Sequence, residues 1–132
     1  MSKGIGYDPI PVTLSPDSTA LQLKNGPKTG QKFSLSKMRN VIGRSSPPHI
    51  VVDIDLSECE LDRIPMISRR HAVIEWSSGE LLVTDLGSSN GTFIDGQQLK
   101  PEDNKQPSPP LPLKAGSKLV LANLEFELIT AV

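Results

Sequence analysis

Residues 71–86 read His71-Ala72-Val73-Ile74-Glu75-Trp76-Ser77-Ser78-Gly79-Glu80-Leu81-Leu82-Val83-Thr84-Asp85-Leu86. Two runs rich in Val, Ile, Leu and Trp flank a Ser-Ser-Gly turn, the pattern of a β-hairpin. The same grammar recurs on both sides. Downstream, Thr92–Ile94 is a short strand ended by Asp95-Gly96, a tight-turn dipeptide. Lys118–Leu121 and Leu124–Ile129 form a last hairpin around Ala122-Asn123. Upstream, Leu21 and Leu23 alternate with polar residues, Asn25–Gly30 turns the chain, and alternation resumes at Phe33 and Leu35. Val41-Ile42 runs into Gly43, and Ile50–Leu56 reads as an apolar-rich strand carrying Asp53 and Asp55. No stretch shows a helical period with caps, and Ser57–Ile67 reads as a helical turn or plain loop. Closely spaced short strands with turns between them predict an all-β sandwich.

Two segments fall outside that pattern. Residues 1–19 are rich in Pro, Ser and Asp without a sustained period, and are expected to be a flexible extension to a domain over 20–130. Residues 101–112 hold Pro101, Pro107, Pro109, Pro110 and Pro112, and are expected to be a loop or insertion.

At 132 residues the chain is long enough for one domain with a core. A net charge of −1 gives no basic field for nucleic acid or anionic membrane, and one Trp, one Tyr and three Phe leave few stacking platforms. A lone cysteine, Cys59, excludes an intrachain disulfide and cannot build a zinc site. With no apolar signal-like run at the N-terminus, these features point to a reducing, cytoplasmic setting.

Three loop motifs carry the chemistry. In Gly43-Arg44, glycine permits an unusual backbone angle or a close approach, and arginine offers a rigid fork that matches phosphate bidentately. Ser68-Arg69-Arg70-His71 adds a hydroxyl donor and two cations. On an extended chain Arg69 and His71 share a face, with Arg70 on the other. His71 reads as a packed histidine bracing a loop rather than a catalytic or metal-binding one. In Ser88-Ser89-Asn90-Gly91-Thr92 the Asn90 amide can pair with a peptide backbone, and Gly87 and Gly91 keep the neighbouring chain slim.

Rival readings are weaker. Ser68, His71 and Asp85 supply the residue types of a hydrolase triad, but no Gly-x-Ser-x-Gly elbow accompanies them. Asp53, Asp55, Ser57 and Glu58 faintly resemble the start of a calcium loop, yet Glu58 and Ile64 stand where Gly and Glu are required. Asn25–Gly30 lacks the Gly-Lys-Ser/Thr ending of a nucleotide-binding loop.

The order Gly-Arg, Ser-x-x-His and Asn-Gly, set in Ile67-Ser-Arg-Arg-His-Ala-Val-Ile74 and Asp85-Leu-Gly-Ser-Ser-Asn-Gly-Thr-Phe-Ile94, resembles a forkhead-associated (FHA) domain. That resemblance implies two twisted, mainly antiparallel sheets of about eleven strands, with ligand loops at one end. It implies a binding module without catalytic residues, cofactor or metal, acting as a signalling adaptor for a protein bearing phosphothreonine. Arg44, Ser68, Arg69 and Ser89 would hold the phosphate region and Asn90 the peptide main chain, while Gly43, His71 and Gly91 shape the loops. A phosphorylated Thr13 or Thr19 in the N-terminal segment is a further candidate ligand, through which chains could self-associate.

Overall fold

A computed structural model describes residues 14–101 and 107–130. Eleven strands lie in two sheets. They are β1 (Thr19–Leu23), β2 (Lys32–Ser34), β3 (Arg39–Gly43), β4 (Ile54–Asp55), β5 (Arg70–Ser77), β6 (Glu80–Asp85), β7 (Thr92–Ile94), β8 (Gln97–Gln98), β9 (Leu111–Leu113), β10 (Lys118–Leu121) and β11 (Leu124–Thr130). One sheet has the order β2-β1-β11-β10-β7-β8, the other β4-β3-β5-β6-β9. All pairings are antiparallel except β3 with β4. The expected sandwich and strand number hold.

Period-two alternation decides which face is buried. Along β11, Leu124, Phe126 and Leu128 point into the core. Glu125 and Glu127 point outward, paired with Lys118 and Lys24. The facing sheet contributes Ile42, Ile74, Trp76, Leu81 and Val83 to the same core. Trp76 satisfies its indole N–H by donating to the Leu35 carbonyl at 2.8 Å, so its ring is buried without an unpaired donor. The 71–86 hairpin closes through Ser78 and Gly79, both left-handed. Asp95 and Gly96 do the same for β7 and β8, as that dipeptide predicts.

Three expectations need correction. The run Ile50–Leu56 is not one strand, since only Ile54 and Asp55 pair with β3. Pro47 and Pro48 turn the chain, Ser46 pairs with Ile50, and Val51 is left 70% exposed. Asp53 extends the β3 ladder with its side chain, accepting the Val41 N–H at 2.8 Å. Second, the Pro-rich stretch is not all loop. Leu111–Leu113 is an edge strand paired with β6, where Pro112 needs no N–H partner. Third, Thr19 opens β1 opposite Thr130 and is 3% exposed, so it belongs to the sheet and not to an accessible tail. Thr13 lies outside the described residues. Between β4 and β5, Ser57–Cys59 forms a single 3₁₀ turn.

Candidate functional site

Three loops converge at one end of the sandwich: β3–β4, β4–β5 and the β6–β7 connection that crosses between sheets. Gly43 is why the first two can touch. A Cβ built on it would lie 2.1 Å from the Arg69 carbonyl oxygen and 2.8 Å from that of Ser68. Its φ is not in the left-handed region. Of the two roles open to this glycine, close approach is therefore the one it serves. The Arg44 N–H donates across the contact to the carbonyls of Ser68 and Arg69.

At the same point the β3–β5 ladder slips. Ile42 pairs with Ala72 but Gly43 pairs with Arg70, so His71 is the extra residue of a bulge. Bulges re-aim side chains. His71 turns inward and is fully buried, while Arg69 and Arg70 stay exposed. The expectation that Arg69 and His71 share a face is thus overturned by the bulge.

His71 ties the loops together. Its Nδ1 accepts the Ser68 N–H at 3.1 Å, which leaves the ring proton on Nε2, donated to the Gly91 carbonyl at 2.8 Å. Gly91 itself needs its left-handed φ of 92° to present that carbonyl. Burial holds the His71 pKa below the ordinary 6.5, although the Gly91 carbonyl and the Asp85 charge pull it upward. The unfolded chain therefore takes up the proton first, and folding stability rises with pH across this window. The contribution is complete above 6.5 and is lost as pH falls from there toward the lower folded value. Chemical denaturation at pH 7 and pH 5 should show wild type losing stability on acidification. His71→Ala should be about 2–3 kcal/mol less stable at pH 7, because two backbone groups lose their partner. It should lack the acid-dependent part of the loss between these pH values, and an undiminished loss would remove His71 from the linkage.

The polar groups of the three motifs sit on this frame. Arg44 donates Nε to the Ile67 carbonyl at 3.2 Å, which fixes the plane of the fork, and among the described residues neither Nη group has a hydrogen-bond partner. Among the described residues, none of Arg44, Arg69 and Arg70 forms an ion pair. Ser68 Oγ accepts the Ser89 N–H at 3.0 Å, so its own proton remains available. Asn90 Nδ2 donates to the Met66 carbonyl at 2.8 Å and, weakly, to the Met66 sulfur at 3.9 Å, and its Oδ1 acceptor has no partner among the described residues. Arg44, Ser68, Arg69, Ser89 and Asn90 are thus brought together, on exposed or half-buried loops.

Sequence reading missed what holds the β6–β7 loop. Asp85 is buried, and its carboxylate accepts the N–H groups of Gly87 and Ser88 and the hydroxyls of Ser88 and Thr92. Ser88 Oγ in turn accepts the Gly91 N–H. Ser108 clasps the Asp85 backbone from the Pro-rich side. The bond from the Gly87 N–H to the carboxylate two residues before it is an Asx turn. Asp85 is engaged here rather than in a triad, and His71 meets the Ser68 N–H rather than its hydroxyl. Asp53 and Asp55 are likewise engaged as acceptors. The Lys37 contact holds the Asp53 carboxyl below its ordinary range. Burial pushes Asp55 up, but hydrogen bonds from Ser57 and Ser45 outweigh it and the carboxyl is lowered.

Among the described residues, Gly-Arg, Ser-x-x-His and Asn-Gly loops thus cluster at one end of an eleven-strand β-sandwich, which makes this a β-sandwich module with its polar loops gathered at one end. The sequence profile of the FHA domain matches residues 40–122, and the chain belongs to the FHA domain family. It is 34% identical over 82 residues to the glycogen accumulation regulator GarA of Mycobacterium tuberculosis, covering 62% of this chain and 44% of that protein. It is 33% identical over 90 residues to the oxoglutarate dehydrogenase inhibitor of Corynebacterium efficiens, covering 68% and 54% respectively. The chain thus spans about half the length of these curated relatives. Among solved structures, an FHA domain of Chlamydia trachomatis superposes with a TM-score of 0.65 at 27% identity, covering 87% of this chain and 99% of that one. An FHA domain solved in work on phosphothreonine-dependent FHA interactions gives 0.60 at 27% identity, covering 86% and 96%.

Proposed function

We propose that this protein binds threonine-phosphorylated partner proteins and acts as a signalling adaptor rather than an enzyme. The observation that carries the reading is the state of the loop cluster. The Arg44 fork, the Ser68 hydroxyl and the Asn90 amide converge, each tied to the frame by its own hydrogen bonds, and among the described residues the Arg44 Nη groups, the Ser68 proton and the Asn90 Oδ1 have no other partner. A dianionic phosphate next to a peptide main chain satisfies all of them. Arg44, Ser68, Arg69 and Ser89 take the phosphate region, and Asn90 takes the main chain beside it. Gly43, His71 and Gly91 hold the loops and need not touch the ligand. Relatives named as a regulator and an inhibitor fit a protein whose action is binding. A cytoplasmic setting agrees with a buried, unpaired Cys59, and no described helix is long and apolar enough to cross a membrane. Self-association through the N-terminal segment rests on Thr13 alone, because Thr19 is buried in β1.

Screening a degenerate phosphothreonine peptide library and titrating its best member by calorimetry tests this reading. Its phosphoserine counterpart should bind at least about tenfold more weakly, the worth of one methyl in an apolar niche. Peptides with plain threonine or glutamate at that position should not bind, since glutamate lacks the second charge and third oxygen. Equal affinity for the phosphothreonine and phosphoserine peptides would count against the assignment.

A further inference from the structure

Two acceptors on the frame do unusual work. The Met66 carbonyl orients Asn90 and the next one, of Ile67, orients Arg44. Both belong to consecutive residues of the β4–β5 loop, in a stretch without strand or helix to hold it. That loop carries the largely exposed Ile64, so packing does not fix it there. His71 holds the Ser68 N–H, and with it the peptide that carries the Ile67 carbonyl, so something else must set the direction of the Met66 carbonyl.

Glu60 does so. Its carboxylate reaches across the loop and accepts both adjacent amides, Met66 N–H at Oε1 and Ile67 N–H at Oε2, each at 3.1 Å. A carboxylate has two in-plane oxygens, so it can take two successive N–H groups and fix the orientation of both peptide units. The peptide carrying the Ile67 N–H is the one whose carbonyl belongs to Met66. Holding that N–H therefore sets the direction in which the Met66 oxygen meets Asn90. Glu60 is half-buried, and among the described residues no cation pairs with it. The loop is anchored at its near end by buried Cys59 and at its far end by buried Ile67.

We infer that Glu60 is a positioning residue of the recognition site, which touches no ligand but aims Asn90 through the 66–67 peptide. This rests on the phosphopeptide reading for its consequence, though not for its geometry. Glu60→Gln is the informative change. It keeps the volume and one acceptor oxygen but sets an NH₂ group against the second backbone N–H. Glu60→Asp, one methylene too short, replaces it if that variant does not fold.

Two measurements on the full chain decide the matter. In ligand-free ¹⁵N spectra, the amides of Met66 and Ile67 should shift, and so should the Asn90 side-chain amide. The Trp76 indole N–H, at the opposite end of β5 from His71, should stay in place. An unmoved Asn90 side-chain amide would overturn the proposal. With the best phosphothreonine peptide from the library, Glu60→Gln should weaken binding about tenfold while the melting temperature changes little. In an Asn90→Ala background the same substitution should cost clearly less, as two steps of one chain are not additive. An undiminished loss there would point to a merely structural residue and overturn the proposal. If wild type binds no phosphothreonine peptide, the functional reading falls, and the ligand-free spectra still decide the role of Glu60.

Discussion

Arg44→Ala should bind a phosphothreonine peptide about a hundredfold more weakly than wild type and melt at nearly the same temperature. The guanidinium is oriented by its Nε bond to Ile67 and carries no competing ion pair among the described residues, so its charge and both Nη groups are available. Hydrogen bonds to charged groups contribute roughly 1.5–3 kcal/mol, and about 2.8 kcal/mol corresponds to a hundredfold. Removal costs the fold little, because the side chain is only half-buried and one bond is lost. Arg44→Lys should recover only part of the affinity, since an ammonium keeps the charge but not the fork. Ser68→Ala should cost less than Arg44→Ala, because it deletes a single neutral donor. Calorimetric titration of the variants, with a melt on each sample, checks all of this. Unchanged affinity in folded Arg44→Ala would remove the arginine from the site.

Gly43→Ala should damage both stability and binding, by about 3 kcal/mol and more than tenfold. The cause is space rather than backbone angle. The added methyl would sit 2.1 Å from a carbonyl oxygen of the opposing loop, where the obstacle is backbone and cannot rotate away. Overpacking of this kind typically costs about 1–3 kcal/mol. Relief requires the Ser68–Arg69 segment to move off β3, which breaks the bonds from Arg44 N–H and displaces the Ser68 hydroxyl. Stability and affinity should therefore fall together, in contrast to Arg44→Ala. Chemical denaturation and peptide titration on the same preparation separate the two patterns. Wild-type stability in Gly43→Ala would show that the loops do not pack as described.

The hairpins could be read directly, because alternation and turn chemistry agree. Gly79, Asp95 and Gly96 adopt the left-handed conformations their residue types tolerate, and Ser78 adopts one beside Gly79. Ile50–Leu56 misled for a physical reason. Apolar, β-branched composition signals a strand only where a partner strand runs alongside, and the Pro47-Pro48 turn removes that partner until Ile54. β9 was hidden by its proline, which an edge position tolerates. Thr19 was assigned to the extension because a strand's first residue carries no alternation of its own. In the candidate site, residue types with obvious affinity for phosphate were legible in short motifs. The residues that aim them were not. Asp85 and Glu60 act by accepting backbone N–H groups, and a carboxylate doing so looks in sequence like any other acidic loop residue. The bulge at His71 likewise leaves no mark beyond one extra residue between paired positions.

The most direct test of the central claim is to titrate ¹⁵N-labelled protein with the best phosphothreonine peptide and with the same peptide lacking phosphate. The phosphopeptide should perturb Arg44, Ser68, Arg69, Ser89 and Asn90 in one saturable process, and the unmodified peptide should perturb none of them. Saturable shifts confined to other surfaces, or equal shifts with both peptides, would contradict a phosphothreonine site on these loops.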